Sequence, residues 1–497
     1  MNQIARTFTL VGLIVVILLA LHFLPKLSVG ETELRRVNLL SDVLPEVESN
    51  AFDFVPEAPP LPPEVGTIPP TVSTAPEAPS TPLTPSTPST PVLPQGGAKD
   101  STASKTIVAP SGAEGGASIL DYSQGGSASM YHFYQALANV KQMNRPVRVA
   151  YYGDSFIEGD IFTADLRELL QDQFGGNGVG WVDCASQVNG FRTTVTHHFS
   201  GIHEYEVVKR PFKPTNQGIA QRYFTAANGA TITYKGTKVR RHLAEWDKAI
   251  FYLRTNGGLT LRATINGDTT LVNTVEGSQN LQTVVHTGGF APKDSLQQPR
   301  NISSVSYAVS NIGEGSLLYG AALEGEHGVV VDNFSMRGSA GYTLVNIPSA
   351  TLAQFAAKRP YDLIVLHFGL NVANAKQANY SGYTKQMGEA IDHLRQAYPG
   401  VSILVVSMPD RDQRTDAGLR TMKGVEQLVA YQQIMASDHA VAFFNLFEAM
   451  GGRESMKGLV EQGLANKDYT HINFKGGRYL ARFLYDALMA GYHSSGF

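Results

Sequence analysis

Residues 147–155 read VRVAYYGDS, six residues carrying a single charge and then a glycine, a carboxylate and a hydroxyl. Near-continuous hydrophobicity without strict alternation marks a strand covered on both faces, as in a parallel sheet. Four later runs share this character: residues 328–334 (GVVVDNF), 362–368 (DLIVLHF), 402–407 (SILVVS) and 441–446 (VAFFNL). Helical patterns fall between and after them, over residues 162–174, 384–398, 419–435 and 474–492. This repetition predicts an α/β domain of three α/β/α layers with right-handed crossovers.

The first two strands are separated by far more chain than one crossover needs. The intervening runs TITYKG, AIFYLRT, LTLRATING, LQTVVHT and SSVSYAVS are β-branched and aromatic, and are broken by NG, GG and GD turns. An all-β insert of jelly-roll-like sandwich type is therefore expected over residues 195–326. It interrupts an α/β domain made of residues 116–194 and 327–497.

The 497 residues carry a net charge of −3 and one cysteine, Cys184. Near-neutrality argues against a nucleic-acid binder, which needs a basic field to displace counterions. A lone cysteine excludes an internal disulfide and Cys-based metal patterns. Residues 8–24, FTLVGLIVVILLALHFL, are long enough to span a bilayer, so residues 1–30 are expected to form a membrane anchor, with a cleaved signal peptide as the competing reading. Either implies export, to a periplasmic or other extracytoplasmic place on the cell envelope, anchored in the first case to the inner (cytoplasmic) membrane. Residues 56–94 hold 14 of the 26 prolines, so residues 31–115 read as a disordered, semi-rigid spacer.

In an open parallel sheet ligands bind beyond the carboxyl ends of the strands. The first strand runs into Gly153-Asp154-Ser155, the second into Arg337-Gly338 and the third into Gly369-Leu370-Asn371. Near the C-terminus Asp468 and His471 stand three apart, a spacing at which a carboxylate can fix the tautomer of an imidazole that takes a proton from a serine. Asn473 is placed to cap the last helix. Each feature also has a plain structural reading as a helix-start serine, turn glycine, capping amide or surface charge pair.

Taken in this order, the four blocks resemble those of the SGNH, or GDSL, hydrolase superfamily, whose α/β domain is of flavodoxin-like type. The resemblance covers both halves of the α/β part. It implies Ser155 as nucleophile, His471 as base and Asp468 as its orienter. The oxyanion hole it implies combines the backbone N–H groups of Ser155 and Gly338 with the amide of Asn371, donors typically worth about 2.7–4 kcal/mol each. Val372 departs from the pattern, since many relatives carry a carboxylate there. The placement of the insert, and the glycine-rich segment 174–181, are similar to peptidoglycan O-acetylesterases of that superfamily with a carbohydrate-binding-like sandwich.

The resemblance implies a serine esterase acting on an O-acetylated envelope glycan such as peptidoglycan, with no cofactor and no metal. An O-acetyltransferase supplied by a membrane-bound O-acyltransferase partner would use the same residues, and a non-catalytic glycan-binding protein is the alternative from another class. Other features are open. His197, His198 and His203 read as a solvated loop rather than a metal site, and His367 as a satisfied core histidine. Trp246 reads as core, with sugar stacking as the alternative. Arg337, Asp410 and Arg411 could face an anionic sugar substituent or be ordinary polar surface.

Overall fold

The computed structural model describes residues 118–126, 128–289 and 300–497, together with a pairing of Ser28–Val29 with Thr32–Glu33. The expected anchor and, that pairing apart, the spacer lie outside the described residues. Among the described residues no helix is long and apolar enough to cross a membrane.

Six strands form a mixed sheet: β1 Ile119–Asp121, β2 Val147–Gly153, β3 Val329–Ser335, β4 Leu363–His367, β5 Ser402–Val406 and β6 Ala442–Phe444. Their order is β3-β2-β4-β5-β6-β1, parallel throughout except for β1, which runs antiparallel to β6. All seven residues of β2 and all five of β4 are buried, as the unbroken hydrophobicity requires. Among the described residues, six helices of nine residues or more accompany the sheet: α1 Met130–Ala138, α2 Thr163–Phe174, α3 Ser349–Lys358, α4 Ser381–Ala397, α5 Gly424–Asp438 and α6 Phe474–Ser494. Helix α6 packs on α1 and α2, while α4 packs on α3 and α5.

Because β3 lies on one side of β2 and β4 on the other, the chain reverses across the sheet at β2. That reversal opens a crevice beyond the strand ends. The register brings Ser335 beside Gly153 and Gly153 beside His367, so the segments following β2, β3 and β4 leave the sheet at one level.

The helix expected over residues 419–435 begins only at Gly424. Its first residues instead form a hairpin, Asp412–Thr415 with Gly418–Thr421, because Gly418 turns the chain at a φ of +93°. Among the labelled elements, β1, α1 and α3 were not expected. All three are short, and β1 pairs on one side only.

The insert also differs from the expected jelly-roll-like sandwich. Its strands join one nine-stranded antiparallel sheet instead of two separately bonded ones. The cause is the long strand Arg222–Gly236, which pairs with Leu317–Glu324 at one end, with Ser304–Ser310 at the other, and with Val195–Glu206 along its length. Strand Gly180–Val182, which precedes residue 195, belongs to this sheet through Leu317–Glu324. Trp181, Tyr252 and Tyr319 from the insert's sheet pack against Phe355 of α3, with ring centroids 5.6–6.2 Å from it. The two sheets thus share an aromatic core, and Trp246 and Cys184 are buried within the insert.

Candidate active site

Gly153 ends β2 without a side chain because a Cβ there would come within 2.9 Å of Ile157 and of the His367 carbonyl. The strand can therefore turn at once into a 3-10 segment, Ser155–Asp160. Asp154 caps that segment by accepting the N–H of Phe156 at 3.0 Å. Its other oxygen accepts the N–H groups of Gly369 and Leu370, each at 3.2 Å, which latches the end of β2 to the end of β4. Burial raises its pKa to about 6 against these hydrogen bonds. From the other side, buried Asn333 of β3 donates to the Ile157 carbonyl and to Thr163, both at 2.8 Å. Ser155 is held from both neighbouring strands.

The histidine arrives from the far end of the chain. Asn473 caps α6 as expected, accepting the N–H groups of Lys475 and Gly476. A Cβ at Gly477 would lie 1.8 Å from the Ile161 carbonyl, so the first turn of α6 approaches the Ser155 segment as closely as backbone allows. Ser155 Oγ then meets His471 Nε2 at 2.9 Å, and His471 Nδ1 meets Asp468 Oδ2 at 2.8 Å. Asp468 Oδ1 accepts the N–H groups of Thr470 and His471, each at 3.0 Å, which fixes the carboxylate on its own turn. Burial would raise its pKa, but the hydrogen bonds from His471 and the two backbone groups outweigh it and hold the carboxylate below its usual range. An anionic Asp468 requires the proton on Nδ1, which leaves the Nε2 lone pair facing the Ser155 hydroxyl.

Gly338 follows β3 at a φ of +80° with open space where a Cβ would stand. The Asn371 amide donates to the Ser339 carbonyl at 2.9 Å, tying the segments after β3 and β4 together, and its second N–H remains to donate. The N–H of Met336 on the same segment donates to the Gly153 carbonyl at 2.9 Å. All five residues singled out in the sequence therefore lie on segments bonded to one another at the carboxyl end of the sheet.

The remaining candidates have other occupations. Arg337 forms an ion pair with Glu158, Nη2 to Oε2 at 2.5 Å. Asp410 is buried and accepts the Thr421 hydroxyl at 2.9 Å and the N–H of Met456 at 3.0 Å, so it holds the hairpin to the helix Ser455–Glu461. Arg411 reaches the Leu370 carbonyl at 3.4 Å. The histidines 197, 198 and 203 lie on strand Val195–Glu206, not on a loop. His197 points inward, stacks on Tyr234 and has its pKa lowered to about 4 by burial, while His198 and His203 are exposed. His367 is a core residue with one ring nitrogen satisfied, Nδ1 on Tyr151 at 3.0 Å, while its Nε2 has no partner. The latches Asp154 and Asn333 escaped the sequence reading. The one available signal was a polar residue at the end of an otherwise apolar strand.

No family model and no curated protein matches this sequence. In structure the chain is similar to a peptidoglycan O-acetylesterase, with 19% identity and a TM-score of 0.61, over 76% of this chain and 99% of that one. Two family two carbohydrate esterases align more loosely. One, from Clostridium thermocellum, shows 11% identity, covers 54% of this chain and 93% of its own, and has a TM-score of 0.26; the other, from Cellvibrio japonicus, shows 10% over 60% and 99%, at 0.23. The fold is thus shared with a solved peptidoglycan O-acetylesterase.

Proposed function

We propose that this protein is a serine esterase that removes O-acetyl groups from a cell-envelope glycan of peptidoglycan type, through Ser155, His471 and Asp468. The observation that carries this reading is the unbroken relay from Ser155 Oγ through His471 to Asp468, with steps of 2.9 and 2.8 Å. Ser155 Oγ attacks the ester carbonyl carbon while His471 Nε2 takes the hydroxyl proton. The N–H groups of Ser155 and Gly338 and the Asn371 amide supply donors for the negative charge that develops on the carbonyl oxygen. Collapse expels the sugar oxygen, which receives the proton from His471, and leaves an acetyl group on Ser155. A water molecule deprotonated by His471 then attacks the acetyl carbon, and the bond to Ser155 Oγ breaks as His471 returns the proton to the serine, releasing acetate. Apart from that water, every step uses groups of this chain, and the fold shared with a peptidoglycan O-acetylesterase supports the substrate class.

On this reading the α/β part is the three-layer hydrolase domain. Residues 8–24 anchor it and the proline-rich spacer tethers it on the outer side of the cytoplasmic membrane. The test is acetate release from O-acetylated peptidoglycan by wild type and by Ser155→Ala. We expect the variant to fold and to lose roughly 10⁴-fold or more in rate. Equal release by both proteins would overturn the assignment; acetyl transfer to a sugar acceptor without hydrolysis would replace the esterase by a transferase.

A further inference from the structure

The ring of Phe191 belongs to neither of the segments that carry the reacting groups. It packs on Phe474, three residues beyond His471, with centroids 5.2 Å apart. It also covers Gly159, four residues beyond Ser155, where a Cβ would come within 2.5 Å of the ring. One aromatic side chain therefore touches both the serine and the histidine segments while remaining 44% exposed.

Phe191 is also held in place. Its N–H donates to the Val188 carbonyl at 2.9 Å. The next residue, Arg192, sends its side chain inward to the buried carboxylate of Asp160, Nε to Oδ2 at 3.0 Å, and Thr194 donates to the same oxygen at 2.5 Å. Asp160 is drawn well below the usual carboxylate range by Arg167 and Arg192 against the effect of burial, so this anchor is charged. A half-exposed ring on a backbone anchored next door by a buried ion pair costs little to order on binding.

Beside the ring the same segment borders a polar depression, where Asn189 faces Glu158, Asp183, Arg222 and Ser335. A pyranose ring has an apolar face of C–H groups and a rim of hydroxyls. An aromatic ring bordered by carboxylates, an amide and a guanidinium matches that division, whereas an acyl chain or apolar peptide side chain would strip water from those polar groups without replacing it. We propose that Phe191 is the stacking platform for the sugar whose ester is cleaved, with the sugar's hydroxyls directed to the depression, and that it sets the preference for glycan esters over small ones. This rests on the esterase reading above.

The experiment compares kcat and KM on O-acetylated peptidoglycan and on a small soluble acetate ester for wild type, Phe191→Ala and Phe191→Trp, with unfolding midpoints measured in parallel. Phe191→Ala is expected to lose roughly tenfold or more in kcat/KM on the glycan, mainly through KM, and several-fold less on the small ester. Phe191→Trp should recover most of the glycan activity. Equal losses on both esters, or none on the glycan, would overturn the inference. If wild type cleaves neither ester, the esterase reading falls, and binding of immobilised peptidoglycan by wild type against Phe191→Ala decides this one: weaker binding by the variant supports it, equal binding overturns it.

Discussion

Charged side chains do opposite work in two regions of this molecule. Between the sheets, Arg359 binds Asp332 and Glu324, each at 2.7 Å, and Arg148 binds Glu324 at 2.6 Å, while Tyr361 donates to Asp332 at 2.6 Å. These four charged groups are buried, come from β2, β3, the end of α3 and the insert, and each charge meets an opposite one. At the crevice, Asp468 and His471 are 47% and 33% exposed in their side chains and face a serine that needs no charge partner. Where every charge is matched no proton is free to move, so the buried group can only hold the sheets together. On the proposed reading, the open chain of Asp468, His471 and Ser155 has a proton to pass on.

The contrast can be broken first at Ser155, whose replacement is expected to remove activity and spare stability. The opposite outcome is expected of Arg359→Leu. It strands the buried carboxylate of Asp332 and leaves Glu324 with Arg148 alone, so stability should fall by about 3–5 kcal/mol in denaturant unfolding, with activity lost only as the fold is lost. Unchanged stability would mean that the network is dispensable. Asp468→Asn should lose roughly 10³-fold or more in rate with little change in unfolding midpoint, because the wrong tautomer would face Ser155. A fourth variant sharpens the boundary between the regions. Gly477→Ala forces the start of α6 away from Ile161, so about 1–3 kcal/mol of stability and much of the activity should be lost together.

Acid separates the regions by sign. Arg359 and Arg148 outweigh the effect of burial on Glu324 and hold its pKa at about 2, so its contribution to stability is present above its unfolded pKa and is lost as pH falls through about 2. Asp154, raised to about 6 by burial, binds its proton more tightly folded than unfolded. Its contribution is greatest at low pH and declines as pH rises from about 4 to about 6, by up to about 3 kcal/mol. Asp154→Asn should flatten the stability curve in that window and leave the acid limb unchanged. A window that persists in the variant would assign it to another group.

Much of the α/β part was legible because its signals are local. β2 to β6 announce themselves by unbroken apolar runs, and the residues after β2, β3 and β4 can be inspected once a parallel sheet is assumed. Asp468 and His471 are legible as a pair because one turn fixes both. The hairpin before α5 was missed because four-residue strands carry no periodicity that outweighs a following helix. In the insert, period and turn residues identified strands, but alternation says only which face is buried. It cannot say that Arg222–Gly236 is long enough to join what would otherwise be two sheets.

By itself the sequence determined the residue types of the relay and the strand ends on which they stand, since chain order and hydrophobicity are properties of short segments. The tertiary structure alone decided that Asp154 latches β2 to β4 and that Gly477 admits α6 against Ile161. It alone decided that Arg359 closes a charge network between the sheets and that Phe191 bridges the serine and histidine segments. Each of these depends on the distance between residues far apart in the chain, which is set by packing and not by the composition of any one stretch.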